Sequence, residues 1–292
     1  MIKKWHIYFV CIFAVILVSL FFVLDAFTTS TSKSTQTIIT TEQTESYKYF
    51  PTITATPESN NKISQSFGAN DGYKCYQNAM TLLDKEQYYT YNYMTVASAL
   101  SNVQKINGMR YFNDKQFYSQ IYAYSTSVFG QVWFEEISSE NSTSYTIKKT
   151  NSLDQDYNYN LNDAKINVYS RDEMLNYCGD RLKIFNFEPS EQVLQKLSFD
   201  YSSNLSYYII NISYLPSDVP PSYIYLIKQQ AGASKIEYKS LNIKFYVSKT
   251  TGKFEKFEQI ENYDMTVGIK VNVKYSFFGQ LKYYNGSYII NK

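Results

Sequence analysis

The chain has 292 residues, of which 18% are charged, with a formal net charge of +2. It therefore offers no strongly basic surface for nucleic acid. Its one histidine, His6, borders an apolar run, which leaves no Ser-His-Asp relay, no Cys-His relay and no histidine metal site in the remainder. The 31 tyrosines and 19 phenylalanines are an excess that AT-rich bacterial codon usage explains in part.

Lys3 and Lys4 precede an uncharged run from Ile7 to Leu24. That run is long enough to cross a hydrocarbon layer of about 30 Å. The lysine pair assigns residues 1–6 to the cytoplasm and the C-terminal bulk to the outside. The exit sequence Leu24-Asp25-Ala26 lacks a small residue at the −3 position of a cleavage site, and Cys11 lies mid-run rather than in a lipobox. The expectation is an uncleaved single-pass anchor over residues 7–24 in the cell membrane, with signal cleavage and secretion as the alternative. Residues 25–70, rich in Ser and Thr and holding Pro51 and Pro57, read as an extended extracytoplasmic linker that buries too little surface to offset its ordering entropy.

The folded domain is expected over residues 71–292. Asp71 is placed to cap a helix over 73–85, in which Cys75, Ala79, Leu82 and Leu83 recur at helical spacing. From Tyr89 the period changes to two: strands are expected at 89–97, 115–125, 130–137 and 144–150, with a turn at Asn113-Asp114. Ser170-x-x-Glu173 is a capping box opening a short helix to Tyr177, and Pro189-Ser190 opens another carrying Val193, Leu194 and Leu197. Leu241 to Val247 alternate, Thr250-Thr251-Gly252-Lys253 turns the chain, and Val267 to Tyr275 alternate again. One-sided alternation of this kind belongs to antiparallel sheets. The fold class is α+β: a long antiparallel β meander, a curved open sheet or half-barrel, with about three short helices on one face.

The helix at 73–85, the tyrosine-rich meander over 88–150 and the return strands at 241–248 and 266–277 together resemble the lipoprotein-carrier (LolA-like) half-barrel superfamily. The resemblance implies a cavity between helices and sheet that takes lipid or acyl chains, or a sensor or adaptor built on the same frame. The chain departs from the family in carrying a spanning anchor and no lipobox.

The motifs that would carry catalysis or metal binding fail on detail. Ser-x-x-Lys occurs at Ser30–Lys33 and Ser59–Lys62, both in the linker, where a nucleophile has no rigid setting. Asp154-x-Asp156-x-Asn158 begins like a calcium loop, but Tyr159 and Lys165 stand where that loop needs Gly and Glu. The stretch reads instead as an amphipathic strand with Asp154, Asp156, Asn158, Asn160 and Asn162 on one face. Glu135 and Glu136 are strand neighbours and so point to opposite faces. A carboxylate pair for glycan hydrolysis therefore depends on the fold assembling Glu135, Glu173, Glu188, Glu237 and Asp264. No cofactor is called for.

Cys75 and Cys178 suggest a disulfide in an oxidising compartment, with two buried thiols as the alternative. Two tyrosine stripes, Tyr89/Tyr91/Tyr93 and Tyr118/Tyr122/Tyr124, are the candidate ligand-binding residues, with Trp133 beside them. Sheet packing is their competing role. The functional expectation is a membrane-anchored, non-enzymatic extracytoplasmic module that binds a lipid, a cell-wall glycan or an envelope protein. The alternative is a cell-wall-polymer hydrolase working through a carboxylate pair.

Overall fold

Period-two alternation becomes antiparallel pairing along nearly the whole chain. A computed structural model describes residues 52–57, 66–86, 88–100, 102–112, 117–125, 132–141, 143–152, 160–178, 188–202 and 206–291. The anchor run at 7–24, the turn at Asn113-Asp114 and the stretch Asp154–Tyr159 lie outside these. Among the described residues no helix is long and apolar enough to cross a membrane.

The strands are β1 (Thr52–Pro57), β2 (Tyr89–Ala99), β3 (Asn102–Phe112), β4 (Phe117–Ser125), β5 (Val132–Ser139), β6 (Ser144–Thr150), β7 (Lys165–Ser170), β8 (Ser198–Asp200), β9 (Tyr207–Tyr214), β10 (Lys235–Ser248), β11 (Phe254–Val267) and β12 (Ile269–Asn291). The helices are α1 (Gly72–Lys85), α2 (Arg171–Cys178), α3 (Glu191–Leu194) and α4 (Pro221–Ala231). Spatial order in the sheet is β7-β6-β5-β4-β3-β2-β12-β11-β10-β9-β8, with β1 on β12. Two meanders, β2–β7 and β8–β12, thus meet at one non-sequential seam, β2 against β12. The result is an open antiparallel sheet with helices on one face, the arrangement of a half-barrel.

Register defines that face. Phe199, Ile210, Phe245, Phe257 and Gly279 stand directly across from one another on β8 to β12. The same row continues through Tyr93, Gly108, Ile121, Glu135, Lys149 and Lys165 on β2 to β7. Directly paired residues share a face of the sheet, so this inner face runs from aromatic at one wing to charged at the other. All four helices lie on it. Tyr76 of α1 meets Phe245 and Phe254 edge-on at 5.3 and 5.8 Å. Val193 and Leu194 of α3 and Tyr223 of α4 join the same buried cluster, while Met174 of α2 packs with Phe117, Ile137, Tyr145 and Ile147. Side chains such as Phe245 and Phe257, 1% and 2% exposed, each contribute about 1.5–3 kcal/mol by leaving water.

Two glycines let the seam close. Gly108 and Gly279 flank Tyr93 on β3 and β12, and a Cβ on either would overlap a tyrosine ring, Tyr93 over Gly108 and Tyr91 over Gly279. The rings lie across the bare backbone and restore the packing that a missing side chain would lose.

Five expectations are corrected. The linker is not free over all of 25–70: Thr52–Pro57 pairs with the end of β12, and Phe67 is buried with its N–H donating to Tyr208 Oη at 3.1 Å. The β-branched residues of Thr-Ile-Thr-Ala-Thr suit a strand once β12 offers an edge. Asp71 occupies the N-cap of α1 without capping through its side chain; its carboxylate instead accepts from the Gly68 N–H at 2.9 Å and from Lys74. Leu161–Asp163 is a 3-10 turn capped by Asn160, so this end of the Asn/Asp stretch is not a strand. The alternation expected over Val267–Tyr275 spans a hairpin: Val267 faces Ile269 across Gly268, whose φ is +74°. Finally, α4 is an additional helix, opened by Pro221 at its first turn and closed by Gly232 in the left-handed region.

The capping box forms as expected. Ser170 N–H donates to Glu173 Oε2 at 2.8 Å, and Glu173 N–H donates to Ser170 Oγ at 3.4 Å.

Gly108→Ala and Gly279→Ala are each expected to lower stability by about 1–3 kcal/mol through overpacking. Denaturant unfolding is the measurement. Gly68→Ala is the control, because the nearest heavy atom to a Cβ there is Asp71 Oδ2 at 3.6 Å.

Candidate ligand-binding face

The inner face carries a chain of rings that begins at α1 and crosses the seam. Phe245 meets Phe257 at 5.2 Å, Phe257 meets Phe277 edge-on at 5.5 Å, and Phe277 stacks on Tyr93 at 5.4 Å and 10°. Tyr91 lies 5.5 Å from Tyr93, and the Arg110 guanidinium sits 5.0 Å above the Tyr93 ring. Such pairs add roughly 0.5–1.5 kcal/mol each beyond their burial.

The two tyrosine stripes of the sequence do not share a surface. Tyr89, Tyr91 and Tyr93 stand on the inner face, with Tyr91 0% exposed. Tyr118 and Tyr122 alternate with Phe117, Ile121 and Ala123 and so belong to the outer face. There Tyr118 packs on Tyr111 at 5.4 Å and donates to Glu136 Oε2 at 2.8 Å, and Tyr122 packs on Phe134 at 5.2 Å. Trp133 pairs with Ala123 and Tyr124 with Val132; the side chains of Trp133 and Tyr124 lie outside the described residues.

Beneath α4 the apolar face holds a polar island that the sequence reading did not single out. Glu261 of β11 is 1% exposed. Its Oε1 accepts from Tyr223 Oη at 2.6 Å and from Gln259 Nε2, and its Oε2 accepts from Tyr238 Oη at 2.6 Å. Gln259 also donates to Tyr223 Oη at 3.0 Å. Every partner is neutral. Burial raises the carboxyl above the usual glutamate range, and the three donors pull it part of the way back. Burial, with the Glu261 carboxylate adding to it, pushes the hydroxyl of Tyr275, directly opposite Glu261 on β12, well above the usual tyrosine range. Away from this group, beside Tyr93 and Phe277 at the seam, the Tyr91 hydroxyl is buried without a hydrogen-bond partner.

The other acids are arranged differently. Glu135 and Glu136 do point to opposite faces: Glu135 is buried on the inner face with Lys149 Nζ 3.8 Å away, and Glu136 holds Tyr118 on the outer face. Glu237 and Asp264 pair across β10 and β11. Lys235 and Lys270 reach Glu237 at 2.7 and 2.9 Å, while Lys239 and Lys270 reach Asp264 at 2.5 and 3.1 Å. Hydrogen bonds from these lysines hold both carboxyls below their usual range. Glu173 caps α2, and Glu188 is exposed. No group of three or more His, Cys, Asp and Glu side chains among the described residues is placed to hold a metal ion. Cys75 is a buried free thiol whose pKa burial pushes up to about 12, and the side chain of Cys178 lies outside the described residues.

No family model matches the sequence, and no curated protein matches it. Among solved structures, the chain is similar to lipoprotein LppX of Mycobacterium tuberculosis at 8% identity and a TM-score of 0.34, over 77% of this chain and 100% of that one. It is also similar to a β-barrel-like protein from Brucella abortus, of a domain of unknown function, at 8% identity and a TM-score of 0.21, over 68% of this chain and 99% of that one. At TM-scores this low the likeness does not extend to ligand or activity.

A carboxylate raised in the folded state binds its proton more tightly there than when unfolded, where its value is about 4.3. Between that value and the raised one, stability falls as pH increases. Asp71, Glu173, Asp200, Glu237 and Asp264, all lowered, act in the opposite sense at lower pH. The difference in unfolding free energy, wild type minus Glu261→Gln, is therefore expected to decline as pH rises from about 4.3 towards neutrality. A difference independent of pH would show that Glu261 does not titrate in this way.

Proposed function

We propose that the chain is a membrane-anchored extracytoplasmic binding module that holds a lipid-like ligand between its helices and the inner face of the sheet. The apolar body of the ligand lies along the ring chain from Tyr76 to Tyr93, and its hydrogen-bond donors reach Glu261 beneath α4 and, separately, Tyr91 at the seam. The anchor over residues 7–24 and the linker behind it hold the domain outside the membrane.

The observation that carries this reading is the polar island. A core serving stability alone does not bury a carboxylate without a counter-cation, nor, further along the same face, an unsatisfied hydroxyl, because each costs desolvation energy. A ligand with N–H or O–H donors at both places satisfies each. The hydrolase alternative has less support from the geometry. Glu237 and Asp264 do meet, but three lysines stabilise both in the charged form, the reverse of what a general acid needs.

The test uses the full chain purified from membranes in mild detergent. Native mass spectrometry is expected to find a co-purified lipid, and a fluorescent long-chain alkylamine is expected to bind saturably. Glu261→Gln and Tyr91→Phe are each expected to weaken that binding about 10-fold, the scale of one charge-assisted hydrogen bond. Absence of both co-purified lipid and saturable binding overturns the proposal. Equal binding of the probe by wild type and both variants overturns the assignment of the head-group site.

A further inference from the structure

Strand β7 ends the sheet on one side. Helix α2, which follows it, turns back over the inner face, where Met174 is buried against β4 to β6. The outer face of β7 stays open: Ile166 and Val168 are 63% and 66% exposed.

The hydrogen-bonding phase of the strand can be read from its end. Arg171 N–H donates to Thr143 C=O at 3.1 Å, continuing the β6–β7 ladder. Backbone groups alternate in direction along an antiparallel strand. Residues 165, 167 and 169 therefore turn towards β6, and residues 166, 168 and 170 turn away from it. Ser170 agrees, since its N–H goes to Glu173 rather than to the ladder. The open edge is thus formed by the N–H and C=O groups of Ile166 and Val168.

We propose that this edge pairs with the same edge of a second copy of the chain, antiparallel, in a register centred on Asn167. In that register Ile166 exchanges both backbone bonds with the partner's Val168, and Val168 with the partner's Ile166. The two exposed apolar side chains then meet directly on one face, the cross-strand contact that stabilises sheets. The charges agree with it. Asp163, in the 3-10 turn before β7 with its carboxylate accepting from Ser152 Oγ and Asn160 Nδ2, and Arg171, the first residue of α2, are both exposed, and in this register each flanks the strand on the side of the other from the second copy. Moving the centre to Val168 sets Asp163 against the partner's Glu173, a like-charge pair. Moving it to Ile166 leaves Asp163 opposite the partner's Tyr169 and Arg171 opposite the partner's Leu161. A six-residue edge buries little area, so the dimer belongs at the weak end of the interface range.

The experiment is sedimentation velocity on the full chain in detergent over a wide concentration series, with circular dichroism as the check on folding. Wild type is expected to dimerise with concentration. Val168→Pro is expected to fold and remain monomeric, because the N–H it removes faces the open edge and not β6. Asp163→Arg and Arg171→Asp are each expected to weaken association several-fold, and the double reversal to restore it. A chain that stays monomeric at every concentration overturns the proposal, and so does a dimer indifferent to Val168→Pro. Failure of the double reversal to restore association overturns the register.

Discussion

Everything on the inner face depends on the pairing of β2 with β12. Its partners are some 170 to 200 positions apart in the chain, yet they match without a register shift from Val273↔Ala99 to Tyr283↔Tyr89. Each of the two meanders can form from neighbours in sequence. Only this seam makes them one sheet, and only then do rings from four strands and a helix form one chain. Closing so long a loop costs entropy that rises slowly with length, and the contacts that offset it are concentrated at Tyr91, Tyr93 and Phe277. Those rings fit because Gly108 and Gly279 lack side chains. The seam is therefore the element whose loss separates the apolar wing from the charged one.

Against that constraint, the polar island beneath α4 is a cost accepted inside the best-packed wing. Tyr223 comes from the helix, Tyr238 from β10, and Gln259 and Glu261 from β11. Three elements are thus fixed relative to one another by a single carboxylate. Hydrogen bonds to a buried charge are directional where apolar packing is not, so the island sets where α4 sits along the sheet.

Much of this architecture was legible in the residues. The helix at 73–85, the strands at 89–97, 115–125, 130–137 and 144–150 and the capping box at Ser170 all announce themselves through period or motif, but β3 (Asn102–Phe112) is not among the expected strands. Strand β11 did not, because its inner face reads Phe257, Gln259, Glu261, Tyr263, Met265, and two polar residues interrupt the apolar alternation. Those two are half of the island, so one irregularity hid both the strand and the site. A lone Glu and Gln in phase with Phe, Tyr and Met was the available signal. Helix α4 hid behind Tyr223, Ile224, Tyr225 and Ile227, residue types that favour strands, although Pro221 and Gly232 mark its ends. The hairpin at Gly268 was missed because apolar residues alternate on both sides of it, and only a positive φ separates Val267 from Ile269. The two tyrosine stripes looked equivalent because parity within a strand is readable, whereas parity between strands follows from register.

The pairing of Thr52 with Asn291 brings the first and last described residues of the sheet side by side. Both of these ends lie on one strand pair in the interior of the sheet order, away from its edges at β7 and β8. Circular permutation, with a short bridge from 291 to 52 and new ends at a hairpin such as Gly268, would preserve every strand pairing while changing the order in which they are synthesised.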